Sequence, residues 1–164
     1  MKDAAPQTIY LSDYTPPAYL VDDVHLTFKL GANDTRVISR IAFRPNPDAT
    51  SHDFFLHGDD LQLIGAKIDG QPIAPDVSKD GLRCPVPDIP FVFEAEVKIS
   101  PATNTALEGL YMSNGMYCTQ CEAEGFRRIT FYPDRPDVMA VFTVRIEADL
   151  PVLLSNGNPT GAGN

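Results

Sequence analysis

Three histidines, three cysteines and a surplus of carboxylates are the side chains from which this chain could build chemistry. His25, His52 and His57 stand in no His-Glu-x-x-His pair, and none has a cysteine at ligand spacing, so a zinc site built by this chain alone is not expected. His52 and His57 fall in a polar loop region and are expected to be solvated surface residues. Cys118-Thr119-Gln120-Cys121 has C-x-x-C spacing, which serves either as half a zinc site or as a redox pair. A zinc site would need a second ligand pair, and only Cys84 remains; a redox motif would open a helix after a strand, and no helix is visible there. The expectation is therefore reduced, packed thiols. No serine sits in a G-x-S-x-G elbow, and the glycines form no phosphate cradle. The residues offer no self-contained catalytic apparatus.

The elements that must position these side chains are strands. Val24, Leu26, Phe28 and Leu30 alternate with His25, Thr27 and Lys29, and Val37, Ser39, Ile41 and Phe43 alternate with Arg36, Ile38, Arg40 and Arg44, with a Gly31-to-Asp34 turn between them; period two predicts a half-buried hairpin. Leu61 to Ile68 predicts a third strand closed by Asp69-Gly70, and Asp80-Gly81 is a second primed-turn signal. Phe91, Phe93, Ala95, Val97 and Ile99 alternate strictly with Val92, Glu94, Glu96 and Lys98. Asn114-Gly115 predicts a short hairpin between 110–112 and 116–118. Strands are also expected over Phe126 to Tyr132 and over 138–150, where Pro151 ends the run. No window of helical period emerges. Val152-Leu153-Leu154 would want a pairing partner, and Ser155 to Asn164 is a turn-forming run, as though the chain stops mid-sheet. The fold class expected is all-β, a single mostly antiparallel domain over residues 1–164, sandwich-like or saddle-shaped and truncated at its C-terminus.

Composition narrows the function classes. The 164 residues carry 13 Lys plus Arg against 22 Asp plus Glu, a net charge of −9, with a pI near 4.6 and a mean hydropathy of −0.14. Such a surface repels phosphate backbones and anionic lipid, so neither nucleic acid nor membrane is an expected partner. Residues 1–10 hold no apolar run of signal-peptide length, no window reaches the roughly 18 apolar residues of a spanning helix, and three cysteines are too few for a disulfide framework; a cytoplasmic location is expected.

Three blocks go further. Asn104-Thr105-Ala106-Leu107-Glu108-Gly109-Leu110-Tyr111, Cys118-Thr119-Gln120-Cys121-Glu122-Ala123-Glu124-Gly125-Phe126-Arg127 and Tyr132-Pro133-Asp134-Arg135-Pro136-Asp137-Val138 closely resemble the N-terminal domain of the bacterial aminopeptidase N family, gluzincin zinc aminopeptidases. Tyr14 to Tyr19 and Leu56 to Leu61 resemble it too, so the likeness runs through nearly the whole chain. It implies a β domain lying over a thermolysin-like catalytic domain of the same polypeptide, whose Gly-Ala-Met-Glu-Asn and His-Glu-x-x-His motifs are not in these residues. One zinc ion would belong to the full-length enzyme, with its ligands outside this chain; no metal and no catalytic residue is expected within it, and alone it is expected to be inactive.

Within the matching block, the resemblance implies that Gln120 and Glu122 lie on a loop reaching the neighbouring active site. There Glu122, with a carboxylate of the zinc domain, grips the free α-ammonium of a peptide substrate, and Gln120 assists. An exopeptidase must reward a terminal cation, and a desolvated carboxylate does so through a charge-assisted hydrogen bond. Arg127 and Asp134 are expected to be a structural ion pair. A loop aimed in this way should hold a backbone outlier between Gln120 and Glu124, with Glu122–Ala123 a candidate cis bond. The alternative is a free-standing β-sandwich module binding peptide or carbohydrate, which would call for an exposed aromatic platform; the sequence has no Trp and 6 Tyr.

Overall fold

The computed structural model describes Thr8 and residues 10–161. Most of the N-terminal run 1–10 and the last three residues of the turn-forming C-terminal run therefore lie outside the described residues. Eleven strands follow in order: β1 (Tyr19–Lys29), β2 (Thr35–Pro45), β3 (Phe55–His57), β4 (Gln62–Ile68), β5 (Gln71–Ile73), β6 (Asp76–Ser78), β7 (Gly81–Arg83), β8 (Phe91–Ile99), β9 (Gly109–Ser113), β10 (Met116–Gln120) and β11 (Val141–Glu147). Three single-turn 3-10 helices complete the regular structure of the described residues. Among the described residues, no helix is long and apolar enough to cross a membrane.

A six-stranded sheet in the order β11-β1-β2-β8-β4-β5 forms one layer. Its pairings are antiparallel except for β1 with β11, which run parallel. The inner face follows from alternation: Val24, Leu26 and Phe28, then Val37, Ile41 and Phe43, then Phe91, Phe93, Ala95, Val97 and Ile99 are all buried. A register shift between Val21 and Asp23 moves the buried set of β1 from odd to even positions, which lets Tyr19 and Val21 point inward as well.

A smaller sheet of order β3-β7-β6 and the segment 126–132 cover this face. Phe54 meets Tyr19, Phe43 and Phe91 at centroid distances of 5.3, 5.0 and 5.4 Å, three edge-on contacts that lock the two layers. Thr35 and Ser39 are the buried polar residues of β2, and Ser39 reaches the covering segment. Its hydroxyl accepts a 3.0 Å bond from Thr130 Oγ1 and donates to Ala95 O, so the covering segment is pinned to the sheet by a satisfied buried pair.

Two strand expectations are corrected. Phe126–Arg128 is a 3-10 turn rather than the start of a strand, and within 126–132 only Tyr132 pairs, through a single bridge to His57. The buried residues there, Ile129, Thr130, Phe131 and Tyr132, are consecutive, so no alternation exists to support a ladder. The predicted strand 138–150 is shorter, Val141–Glu147, and lies at the sheet edge with its side chains largely exposed. Val152, Leu153 and Leu154, beyond Pro151, are exposed and belong to no strand.

Candidate substrate-anchoring loop

The β9–β10 hairpin turns through Asn114 and Gly115, both at positive φ (48° and 80°), the geometry the Asn-Gly pair favours. It delivers Gln120 as the last residue of β10, paired with Gly109. The chain then folds back at once: Gly125 N–H donates to Cys121 O at 3.0 Å, closing a turn around Glu122, Ala123 and Glu124. Glu124 sits at φ 69°, the expected outlier in this loop, and all described peptide bonds are trans, which corrects the cis expectation for Glu122–Ala123. Gly125 is required by the fold, since a Cβ there would stand 2.6 Å from Gln120 O and 3.0 Å from Cys121 Cα.

Gln120 and Glu122 are both exposed on this loop. Neither side chain is tied by a hydrogen bond or ion pair to another described residue, whereas the residues behind them are held on every side. Arg127 N–H and Nε both donate to Asp134 Oδ2 at 3.0 Å, and Nη2 donates to Asp134 O, also at 3.0 Å. The pair is mostly covered, with 21% of the Arg127 and 13% of the Asp134 side chain exposed.

Two fixings went unread in the sequence. Arg128 turns the opposite way from Arg127, to Asp59 at 2.7 Å, Asp60 at 3.1 Å and Glu108 at 3.6 Å, tying the 3-10 turn to the β3–β4 connection and to the entrance of β9. His57 is half-buried rather than solvated, a correction to the reading of a loop histidine. Its backbone exchanges both bonds with Tyr132, and its Nδ1 accepts the Asp134 N–H at 3.1 Å. Burial first, and then the nearby Arg127 guanidinium, push its pKa down, favouring the neutral ring. The adjacency of His57, Asp59 and Asp60 in sequence was the available signal; their partners lie about seventy positions away.

Two of the thiols, Cys84 and Cys121, are held toward the neutral form, Cys121 although it is exposed. Burial pushes Cys84 up to about 11, and burial together with the Asp134 carboxylate pushes Cys121 up, so neither is poised as a thiolate. All three cysteines are free. Among the described residues no group of three or more His, Cys, Asp or Glu could hold a metal ion, so these residues do not fit a zinc site.

Residues 22–162 match the Peptidase M1 N-terminal domain. The chain is 44% identical over 169 residues to aminopeptidase N of Caulobacter vibrioides, covering 100% of this chain and 20% of the relative. It is 44% identical over 163 residues to aminopeptidase N of Escherichia coli, covering 96% of this chain and 18% of that protein. Among solved structures, the crystal structure of Legionella pneumophila aminopeptidase A in complex with aspartic acid superposes with a TM-score of 0.82 at 33% identity, over 90% of this chain and 18% of that one. Native yeast LTA4 hydrolase shares the fold, with a TM-score of 0.67 at 16% identity over 83% of this chain and 24% of that one. The chain thus spans about a fifth of the length of the curated relatives it matches. With its β layers, its pinned covering segment and its match over residues 22–162, this chain belongs to the peptidase M1 N-terminal domain family.

Proposed function

We propose that this chain is the N-terminal domain of a zinc-dependent aminopeptidase of the cytoplasm, one that removes N-terminal residues from peptides, and that it supplies the loop anchoring the substrate's free α-amine. The observation that carries this reading is the contrast within residues 120–134: Glu122 is exposed and unengaged, while Arg127 and Asp134 fix the backbone behind it. A carboxylate presented on a rigid loop is preorganised to accept from an ammonium, and docking against a second domain would strip its water and strengthen that bond. The Legionella aminopeptidase A structure holds aspartic acid, an amino acid with a free α-amine, which is consistent with such recognition.

The division of labour follows from what these residues contain. Zinc would supply Lewis-acid chemistry and an activated water; the described residues offer no ligand set for it, and on this reading its ligands come from the rest of the polypeptide. Gln120 and Glu122 bind and orient. Glu122 accepts from the ammonium, so a blocked N-terminus would leave a desolvated carboxylate unpaired, and Gln120, being neutral, contributes less.

In the full-length enzyme, Glu122→Ala should lower kcat/KM for a free-amine substrate by roughly 10- to 150-fold, the equivalent of a charge-assisted bond of about 1.5 to 3 kcal/mol. Bound zinc, measured by metal analysis, should be unchanged, and Gln120→Ala should cost less. Full activity in Glu122→Ala would remove the anchor role.

A further inference from the structure

We propose that neutral His57 is a positioning residue for the Gln120–Glu122 loop, acting with Tyr132 O as one of two hydrogen-bond acceptors that hold Asp134, and through it Arg127, in place. The connection is continuous. Asp134 N–H is shared between His57 Nδ1 at 3.1 Å and Tyr132 O at 2.8 Å, the Asp134 carboxylate takes two bonds from Arg127, and Arg127 O accepts from Asp59 N–H at 3.0 Å, two residues beyond His57. The clamp therefore closes on itself around the foot of the turn that begins at Cys121. Because an amide N–H can only donate, the ring must present a lone pair at Nδ1, which fixes the neutral Nε2–H tautomer.

Protonation would replace that lone pair with an N–H directed at another donor. The surroundings decide whether the ring tolerates this. Arg127 and Glu124 face it from the 3-10 loop, Asp134 from the segment after Tyr132, and the edge of Phe55 lies 5.0 Å away on its own strand. Arg135 and Asp53 line the same cleft, of about 300 Å³, through which water reaches the ring. Asp134 and Glu124 are both already paired with Arg127, so an imidazolium would gain either carboxylate only by drawing it from that arginine. Asp59 and Asp60, next along the chain, are committed to Arg128. Neutral His57 holds the turn, and its protonation loosens it.

Only the kinetic consequence rests on the amine-anchor reading; the loosening does not. The test is hydrogen exchange by mass spectrometry on the full-length polypeptide, following peptides that span 121–128. Measurements are made at about pH 7.5 and about pH 5, both above the ordinary carboxylate range, so that histidine is the class that changes charge. After correction for intrinsic rates, wild-type protection should fall about tenfold or more at the lower pH. His57→Asn, whose Oδ1 can stand in for Nδ1 and does not titrate, should keep its protection at both values although His25 and His52 still titrate. His57→Leu should be poorly protected at both. Equal wild-type protection at the two pH values, which needs no variant, overturns the proposal, as does a pH response retained in His57→Asn. In parallel, KM for a free-amine substrate should rise with the loss of protection. If protection behaves as expected and KM does not follow, the positioning role stands and the amine-anchor reading fails.

Discussion

Arg127 and Asp134 illustrate how much a pair of charges depends on its geometry. Three hydrogen bonds run from one arginine to one aspartate, two to the carboxylate and one to its carbonyl, with little solvent left on either side chain. Arg128, one residue on, makes three ionic contacts, but its partners are more exposed, Asp60 at 85%. Exposed pairs contribute little, whereas an arginine left without its covered partner keeps the full cost of its burial. Asp134→Ala should therefore lower unfolding stability by about 2 to 4 kcal/mol, and Asp60→Ala by less than about 1 kcal/mol. Chemical denaturation of the two variants checks the ranking; equal losses would mean that the clamp around the loop is no stronger than a surface ion pair.

Turns separate positions where glycine is convenient from positions where it is obligatory. Gly70, at φ 76° in the β4–β5 turn, has open space where a Cβ would go, while Gly81, at φ 152°, would drive a Cβ into Leu56 O and the Phe55 ring. Gly70→Ala should cost about 1 kcal/mol, the left-handed penalty alone, and Gly81→Ala about 3 kcal/mol or more, since β3 and β7 must part. Thermal melts showing the two equally tolerated would contradict the β3–β7 packing. The same scale explains what could be read from the chain. β1, β2 and β8 were legible because each buries one face in alternation, strictly in β2 and β8 and with a single shift between Val21 and Asp23 in β1. The 126–132 segment was not, because a buried run fixed by tertiary contacts carries the same residue types as a strand. Nor was the parallel pairing of β11 with β1, whose register joins Asp23 to Val141, since no local signal sets a partner so far away. Of the candidate site, Gln120, Glu122, Arg127 and Asp134 were named from resemblance, while His57 and Arg128 were missed because their partners are remote.

For the whole molecule, a net charge of −9 coexists with a sheet face on which cations are matched to acids. Arg36 bonds Asp34 and Glu96, Arg44 bonds Asp22, and Arg145 bonds Glu147. The surplus of acid therefore lies in groups such as Glu122 that have no cation beside them. At alkaline pH the stability is set from the interior: burial pushes Tyr132 up to about 12 and Cys84 up to about 11. A raised pKa keeps the neutral form in the folded state, so stability is full below the unfolded value of about 10 for tyrosine and is lost as pH rises through the folded one. Urea midpoints should fall between about pH 10 and about pH 12, and Tyr132→Phe should flatten that fall; an unchanged wild-type midpoint would show the core open to hydroxide. Whether Glu122 reads the substrate's positive charge is decided by a ratio of efficiencies. In the full-length enzyme, kcat/KM is compared for a peptide substrate and for its analogue lacking the α-amine, in wild type and in Glu122→Gln. The account predicts that the variant loses roughly 10- to 150-fold of the wild-type preference for the free amine, with efficiency on the amine-free analogue unchanged. An undiminished preference in Glu122→Gln would contradict it.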